Sequence, residues 1–453
     1  MQKKREMDMC EGSLWSKILI FSIPLILTGI LQLLFNAADI VVVGRFAGEE
    51  SLAAVGSTTS FVNLTINFFI GISMGVNAIV ARHFGNKNEA AIQESVHTSI
   101  TMGLICGVFL TVAGQFITYP LLRLMQSPEN VIDLSAVYLK VYFWGMPALM
   151  VYNFASAVLR ALGDTKRPLL YLSLAGIINV VLNLIFVIVF HLDVLGVALA
   201  TVISQYVSAV LVLLSLTKLE GPCQFFFQKM GITMQRLKEI LGIGIPSGVQ
   251  SLLFSISNVM FQTNVNAFGS TVMAGNSAAG NIEGCVYAGM SAYSQTAVSF
   301  VSQNYGAGKR ERVKQAMMIC VLLTTLVGIA EAIFCYIFDE ALVGIYSTEP
   351  DVIAIGVERL HIIVSLYFLC GILDVLVASL RGLGYAFVTM LISVVGICGL
   401  RILWMSTVCV AFPEPLILYL SYPVTWIVTM IADIIYLTYL FRHKYTAGAV
   451  VAK

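Results

Sequence analysis

The sequence predicts an all-α integral membrane protein: twelve transmembrane helices in two six-helix lobes, related by a pseudo-two-fold axis along the membrane normal. Three observations predict it. The 453 residues are 58% hydrophobic and only 11% charged, whereas soluble domains carry roughly 25% charged residues, so lipid must serve as a second solvent. Apolar stretches long enough to cross ~30 Å of hydrocarbon as helices recur along the chain. Short patterns in the first half also return in the second at a nearly constant offset.

Taken in order, spans are expected at about 18–43, 52–80, 90–118, 137–159, 169–190, 194–217, 240–267, 271–303, 315–338, 360–380, 386–411 and 416–441. An even count puts both termini on one side. Basic residues identify that side. Lys3, Lys4, Arg5 and Lys17 precede span 1, while Arg82 and Lys87, Arg160, Lys166 and Arg167, and Lys218, Lys229, Arg236 and Lys238 follow spans 2, 4 and 6. Lys309, Arg310, Arg312 and Lys314 follow span 8, Arg381 follows span 10, and Arg442, Lys444 and Lys453 close the chain. Thus 21 of the 26 Lys and Arg lie on one face. Arg45, Arg123, Lys140 and Arg359 fall on the other, and Arg401 falls inside span 11. The positive-inside rule makes both termini cytoplasmic, in a multi-pass protein of the cytoplasmic (inner) membrane.

The repeat rests on three landmarks. "ARHFGNKNEA" after span 2 matches "SQNYGAGKRE" after span 8, and "VLRALGDTK" after span 4 matches "SLRGLGYAF" after span 10, both at an offset of 221. Pro24 and Pro246, near the starts of spans 1 and 7, are 222 apart. Six spans separate equivalent positions, so the halves are parallel repeats about an axis along the membrane normal. The expected lobes are residues 1–218 and 240–453. Residues 219–239, polar and carrying Gly221-Pro222, form a cytoplasmic linker. Two such lobes favour a secondary transporter working by alternating access over a channel or a receptor.

One carboxylate is out of place. In "FNAADIVVVG", Asp39 is the single ionisable residue between Leu25 and Val43. A charge at mid-bilayer costs at least ~2.5–3.5 kcal/mol, so an acid there needs a partner or a task. Asp39 lies 22 residues beyond Lys17, about 33 Å at 1.5 Å per residue, in the outer half of the bundle. Asn179 and Asn183 are spaced i, i+4 on one face of span 5. Their amide oxygens, with Asp39, suit either a bare Na⁺ or the hydrogen bonds of a protonated carboxyl. Pro24 frees a backbone carbonyl and kinks span 1. In the second half, Glu283 in "GNIEGCVY" and Asp374 in "GILDVLVASL" are candidates for binding a cationic substrate or for coupling. Glu331 and Asp433 are weaker candidates, expected to pair within the bundle.

Several classes are excluded. "YGAGKRER" lacks the GxxxxGK[ST] spacing, because residues 303 and 310 are Gln and Arg, so it reads as a cytoplasmic hinge and not a phosphate loop. There is no HExxH, so no enzyme is expected. The nine cysteines form no CxxC pair, which implies neither a disulfide framework nor a zinc site. A net charge of +1 gives no reason to expect nucleic acid.

The segments "IPLILTGILQLLFNAADIVVVGRFAG", "LRALGDTKRP", "INVVLNLIFV", "GVALATVISQ" and "QNYGAGKRERV" resemble, in order and over nearly the whole chain, the multidrug and toxic compound extrusion (MATE) family, prokaryotic type. The resemblance implies an antiporter that exports amphipathic, cationic drugs and toxins in exchange for H⁺ or Na⁺, without other cofactors and as a monomer. It also implies an N-lobe cation site at Asp39, Asn179, Asn183 and Thr201, and a role for Pro24 in bending span 1. Asn183 departs from the pattern, since many relatives carry aspartate there. Losing one carboxylate at ~4 Å and an effective dielectric of ~20 removes on the order of 4 kcal/mol of attraction for Na⁺. Protonation needs only Asp39, so H⁺ coupling is expected. The competing expectation is a lipid-linked saccharide flippase of related architecture, but that class usually carries more basic charge in its cavity than these spans do.

Overall fold

A computed structural model describes residues 7–125 and 127–443. The basic residues Lys3, Lys4, Arg5, Lys444 and Lys453 lie outside them, and with them the expected side of the termini. The described chain runs as α1 (Leu14–Phe46), α2 (Glu49–Gly85), α3 (Glu89–Leu124), α4 (Glu129–Trp144), α5 (Met146–Ala161), α6 (Lys166–Leu184) and α7 (Asp193–Thr217). Then follow α8 (Met234–Asn266), α9 (Ser270–Gly306), α10 (Arg310–Ile337), α11 (Asp339–Gly344), α12 (Pro350–Ser365), α13 (Tyr367–Gly382), α14 (Ala386–Ser393), α15 (Leu400–Ala411) and α16 (Pro415–His443). A π turn, Ile185–Val189, extends α6, and another, Val394–Gly399, joins α14 to α15.

Among the described residues nine helices, counting each of the two π-extended stretches as one, are long and apolar enough to cross a bilayer. The count rises to eleven when the bent pairs α4–α5 (46°) and α12–α13 (44°) each serve as one span. The twelfth is α9, 37 residues and mostly buried, where a span is expected at 271–303. Its run of Gly, Ala, Ser and Asn lowers its hydropathy because it faces protein, and small residues let neighbouring backbones approach in lipid. Apolar side chains on the outer faces remain exposed, as Phe109, Val112 and Phe116 do on α3, spaced for one helical stripe.

The repeat is visible in the backbone. Positive φ occurs at Gly48 and Gly269, at Lys87 and Gly308, and at Gly163 and Gly384, each pair at the repeat offset. Gly163 and Gly384 close α5 and α13 alike: Gly163 N–H donates to Arg160 O and Asp164 N–H to Leu159 O, and Gly384 and Tyr385 repeat these bonds to Arg381 and Leu380. This left-handed cap favours glycine. The "LRxLG" motif is therefore a helix terminator used twice.

Contacts divide the chain into two units. Unit 1 is Leu27–Leu241 with Met7 and Asp8, and unit 2 is Met9–Ile26 with residues 242–443. The N-terminal part of α1 thus belongs to unit 2 and its C-terminal part to unit 1, with the change two residues after Pro24. Helix α8 changes unit just before Pro246. Residues 219–239 pack within unit 1. There Phe226 N–H donates to His97 Nε2 (3.1 Å), Thr233 N–H donates to Thr98 Oγ1 (3.0 Å), and Arg236 pairs with Glu94 (3.0 Å) and Glu239 (2.7 Å). In unit 2 the residues before α1 are held in the same manner. Met9 N–H donates to Gln303 Oε1 (2.7 Å), and Lys309 and Arg312 donate to the carbonyls of Cys10 and Gly12 (2.9 and 3.0 Å). The "YGAGKRER" segment is thus an anchor for the residues preceding α1.

Candidate functional site

In unit 1, the close approach of α1 to α6 is made possible by a missing side chain. A Cβ at Gly176 would stand 1.9 Å from the Phe35 ring, so only glycine admits that ring without displacement. Phe35 and Asp39 are one turn apart on α1, and Gly176, Asn179 and Asn183 share a face of α6. Seating Phe35 over Gly176 therefore brings Asp39 to Asn183. Immediately beyond Asn183 the helix widens into the π turn Ile185–Val189, a deformation found often at functional sites.

The four residues expected from the sequence meet in one chain of hydrogen bonds. Asn183 Nδ2 donates to Asp39 Oδ1 and, at 3.3 Å, to Asn179 Oδ1. Asn179 Nδ2 donates to Thr201 Oγ1 at 3.3 Å, and Thr201 passes its own proton to Val197 O at 3.0 Å. Asn183 is fully buried and its Oδ1 has no protein partner, whereas Asp39 is half-buried. The Asn183 amide thus presents its N–H to the carboxylate and keeps an oxygen in reserve. Tyr138 and Tyr142 of α4, one turn apart and stacked at 5.9 Å, lie within the field of Asp39. Sequence reasoning missed these tyrosines and Gly176. The i, i+4 spacing of the tyrosines was the available signal for them. Nothing marked Gly176 among 36 glycines.

The acids of unit 2 do not gather into one site. Both oxygens of Glu283 are occupied by Arg359, whose Nε and Nη2 donate at 2.8 and 2.7 Å, and Nη1 of Arg359 donates to Asn276. Arg359, placed by sequence on the outer face, is buried within α12, because the pair neutralises it and Phe261, Tyr419 and Tyr422 pack around the guanidinium. Asp374 accepts from the Tyr287 hydroxyl at 2.8 Å, and Arg381 donates to Gln250 at 2.7 Å. Asp433 accepts from Thr389 at 3.4 Å, and Glu331 lies in the space above Gly289. Among the described residues neither Asp433 nor Glu331 has a basic partner within 4 Å. Nor do three His, Cys, Asp or Glu side chains cluster as a metal centre there. Pro24 lies inside α1, which continues through it as a helix.

The MatE family model matches twice, over residues 24–185 and 246–407, beginning at the two prolines of the repeat. The chain is 30% identical to the "Probable multidrug resistance protein YoeA" of Bacillus subtilis (strain 168), covering 86% of each sequence. It is 27% identical to the "Probable multidrug resistance protein YpnP" of the same organism, covering 87% of this chain and 88% of that one. Among solved structures, a MATE protein in complex with MaL6 superposes with a TM-score of 0.90 at 21% identity, covering 98% of this chain and 99% of that one.

Proposed function

The chain belongs to the MatE family of multi-pass membrane transporters, and from that premise we propose that it exports amphipathic, cationic small molecules in exchange for H⁺ by alternating access, with both termini in the cytoplasm. The multidrug resistance names of its relatives support the substrate class. The observation that carries the coupling is the Asp39–Asn183 hydrogen bond beside a buried, unpartnered amide oxygen.

The amide N–H suits an anionic Asp39, because hydrogen bonds to charged groups contribute about 1.5–3 kcal/mol against about 1 for neutral pairs. Protonation cancels the charge and weakens the tie between the outer part of α1 and α6. The reserve oxygen of Asn183 then accepts the carboxyl proton after a small rotation. Proton uptake thus biases α1 between two attachments, and substrate release follows the one favoured by protonation. Na⁺ fits less well, since it would have to displace an N–H donor from the carboxylate.

The test is efflux from proteoliposomes under an imposed gradient of one ion at a time. A pH gradient alone is expected to drive transport and a Na⁺ gradient at fixed pH is not. The opposite result rejects H⁺ coupling. Asn183→Asp restores a second carboxylate and is expected to make transport Na⁺-sensitive.

A further inference from the structure

Unit 2 buries Arg359, Arg381 and Arg401, and the first and last of these are treated differently. Arg359 meets a carboxylate with two bonds. Arg401, at the start of α15 just after the second π turn, meets none. It is 3% exposed, and among the described residues no acid lies within 4 Å of it. Its Nη1 donates to Asn258 Oδ1 at 3.2 Å, its guanidinium carbon sits 4.0 Å from the centre of the Tyr422 ring, and its Nε is buried with no partner. The thiols of Cys370 and Cys398 lie in its field. Asp374, which also acts on Cys370, is engaged by the Tyr287 hydroxyl at 2.8 Å.

A buried positive charge with one neutral acceptor and one ring face is undercompensated, and an ionisable group inside a membrane span marks a binding or transport site by default. The planar guanidinium fork, with an idle Nε and with Nη1 held by a single amide oxygen, matches the oxygens of an oxyanion. Tyr422 supplies an aromatic face beside it. Asn258 is on the exposed surface of α8, so the one polar partner of Arg401 is also its cover, and an incoming oxyanion replaces that amide oxygen.

We infer that Arg401, with Tyr422 and Asn258, forms an oxyanion-binding subsite in unit 2 that takes a carboxylate or phosphate borne on an aromatic or aliphatic body. This deepens the proposed export function, on which it rests, by adding an anionic group to the molecules recognised. An exported amphiphile or a phospholipid headgroup carries the required chemistry.

The experiment measures equilibrium binding to purified, detergent-solubilised protein with no ion gradient, so a failure of H⁺ coupling does not affect its reading. Pyrenecarboxylate and pyrenemethylammonium, which share one aromatic body with opposite charge, are the probes. Arg401→Gln is expected to weaken pyrenecarboxylate by about tenfold or more, roughly the worth of a charge-assisted bond, and to leave pyrenemethylammonium within about twofold. Arg401→Lys keeps the charge and recovers part of the loss, and Asn258→Ala, which removes the cover, keeps or raises carboxylate affinity even if Arg401→Gln fails to fold. A second arm compares nanodiscs of phosphatidylglycerol and phosphatidylcholine. Competition with the probe by the former alone assigns the subsite to a lipid headgroup, and no competition assigns it to the exported molecule. Equal pyrenecarboxylate affinity in wild type and Arg401→Gln, or a loss of affinity in Asn258→Ala, overturns the inference.

Discussion

Arg359 and Glu283 illustrate how an acid that reads as solitary in a sequence meets a partner in a fold. Alone in its span, Glu283 resembles a cation receptor, but both its oxygens are taken. Sequence spacing could not reveal this, since the partner lies 76 positions away on another helix. Removing one member of such a pair strands a buried charge, at a cost of about 3–5 kcal/mol, whereas replacing both is far milder. Arg359→Met is therefore expected to lower the thermal midpoint of the detergent-solubilised protein sharply, and Arg359→Met with Glu283→Gln to recover most of it. Equal losses in the single and double variants would show that the two do not act as a pair. Asp39 is the reverse case. Its partners Asn179, Asn183 and Thr201 were legible because two of them recur at i, i+4 and the positions align with a family pattern from which only Asn183 departs, and the hydrogen-bond chain joins them.

Helices explain why that chain closes. Glycine at position 176 sets the distance between α1 and α6, and the Phe35 ring occupies the space where a side chain would stand. Gly176→Val is expected to push α1 away and reduce coupled efflux by at least about tenfold, although it lies two turns from Asn183. Phe35→Ala, which vacates the same space, should restore much of the activity in the Gly176→Val background. Undiminished efflux by Gly176→Val alone would mean that this packing does not position Asp39. Such contacts are invisible to hydropathy, which records that a helix is apolar but not what it touches. Helix α9 is less apolar than the other spans for a related reason: its small and polar residues face other helices. By contrast, the helix-ending glycines were readable as motifs, because a left-handed residue must recur wherever the same cap is built.

Over the whole molecule, duplication is the feature the sequence displayed most plainly. Offsets in three motifs, the paired positive-φ residues and the two family matches agree on it. The exchange of helical segments between units was not legible, because it depends on which neighbour a continuous helix meets on each side of its proline. One continuous helix, α1, therefore carries Asp39 in its unit 1 part and residues up to Ile26 in its unit 2 part. The site itself is asymmetric. Unit 1 offers a carboxylate with a reserve amide oxygen, and unit 2 ties Glu283 to Arg359 and leaves Arg401 without a carboxylate partner.

The central claim is that Asp39 carries the coupling proton. The direct measurement is counterflow in proteoliposomes containing Asp39→Asn, comparing substrate exchange at equal pH with efflux driven by a pH gradient. Asparagine preserves the shape and one hydrogen bond but cannot take up the proton, so exchange is expected to persist within a fewfold while the response to the pH gradient disappears. Efflux by Asp39→Asn that still follows the pH gradient at the wild-type rate would contradict the account.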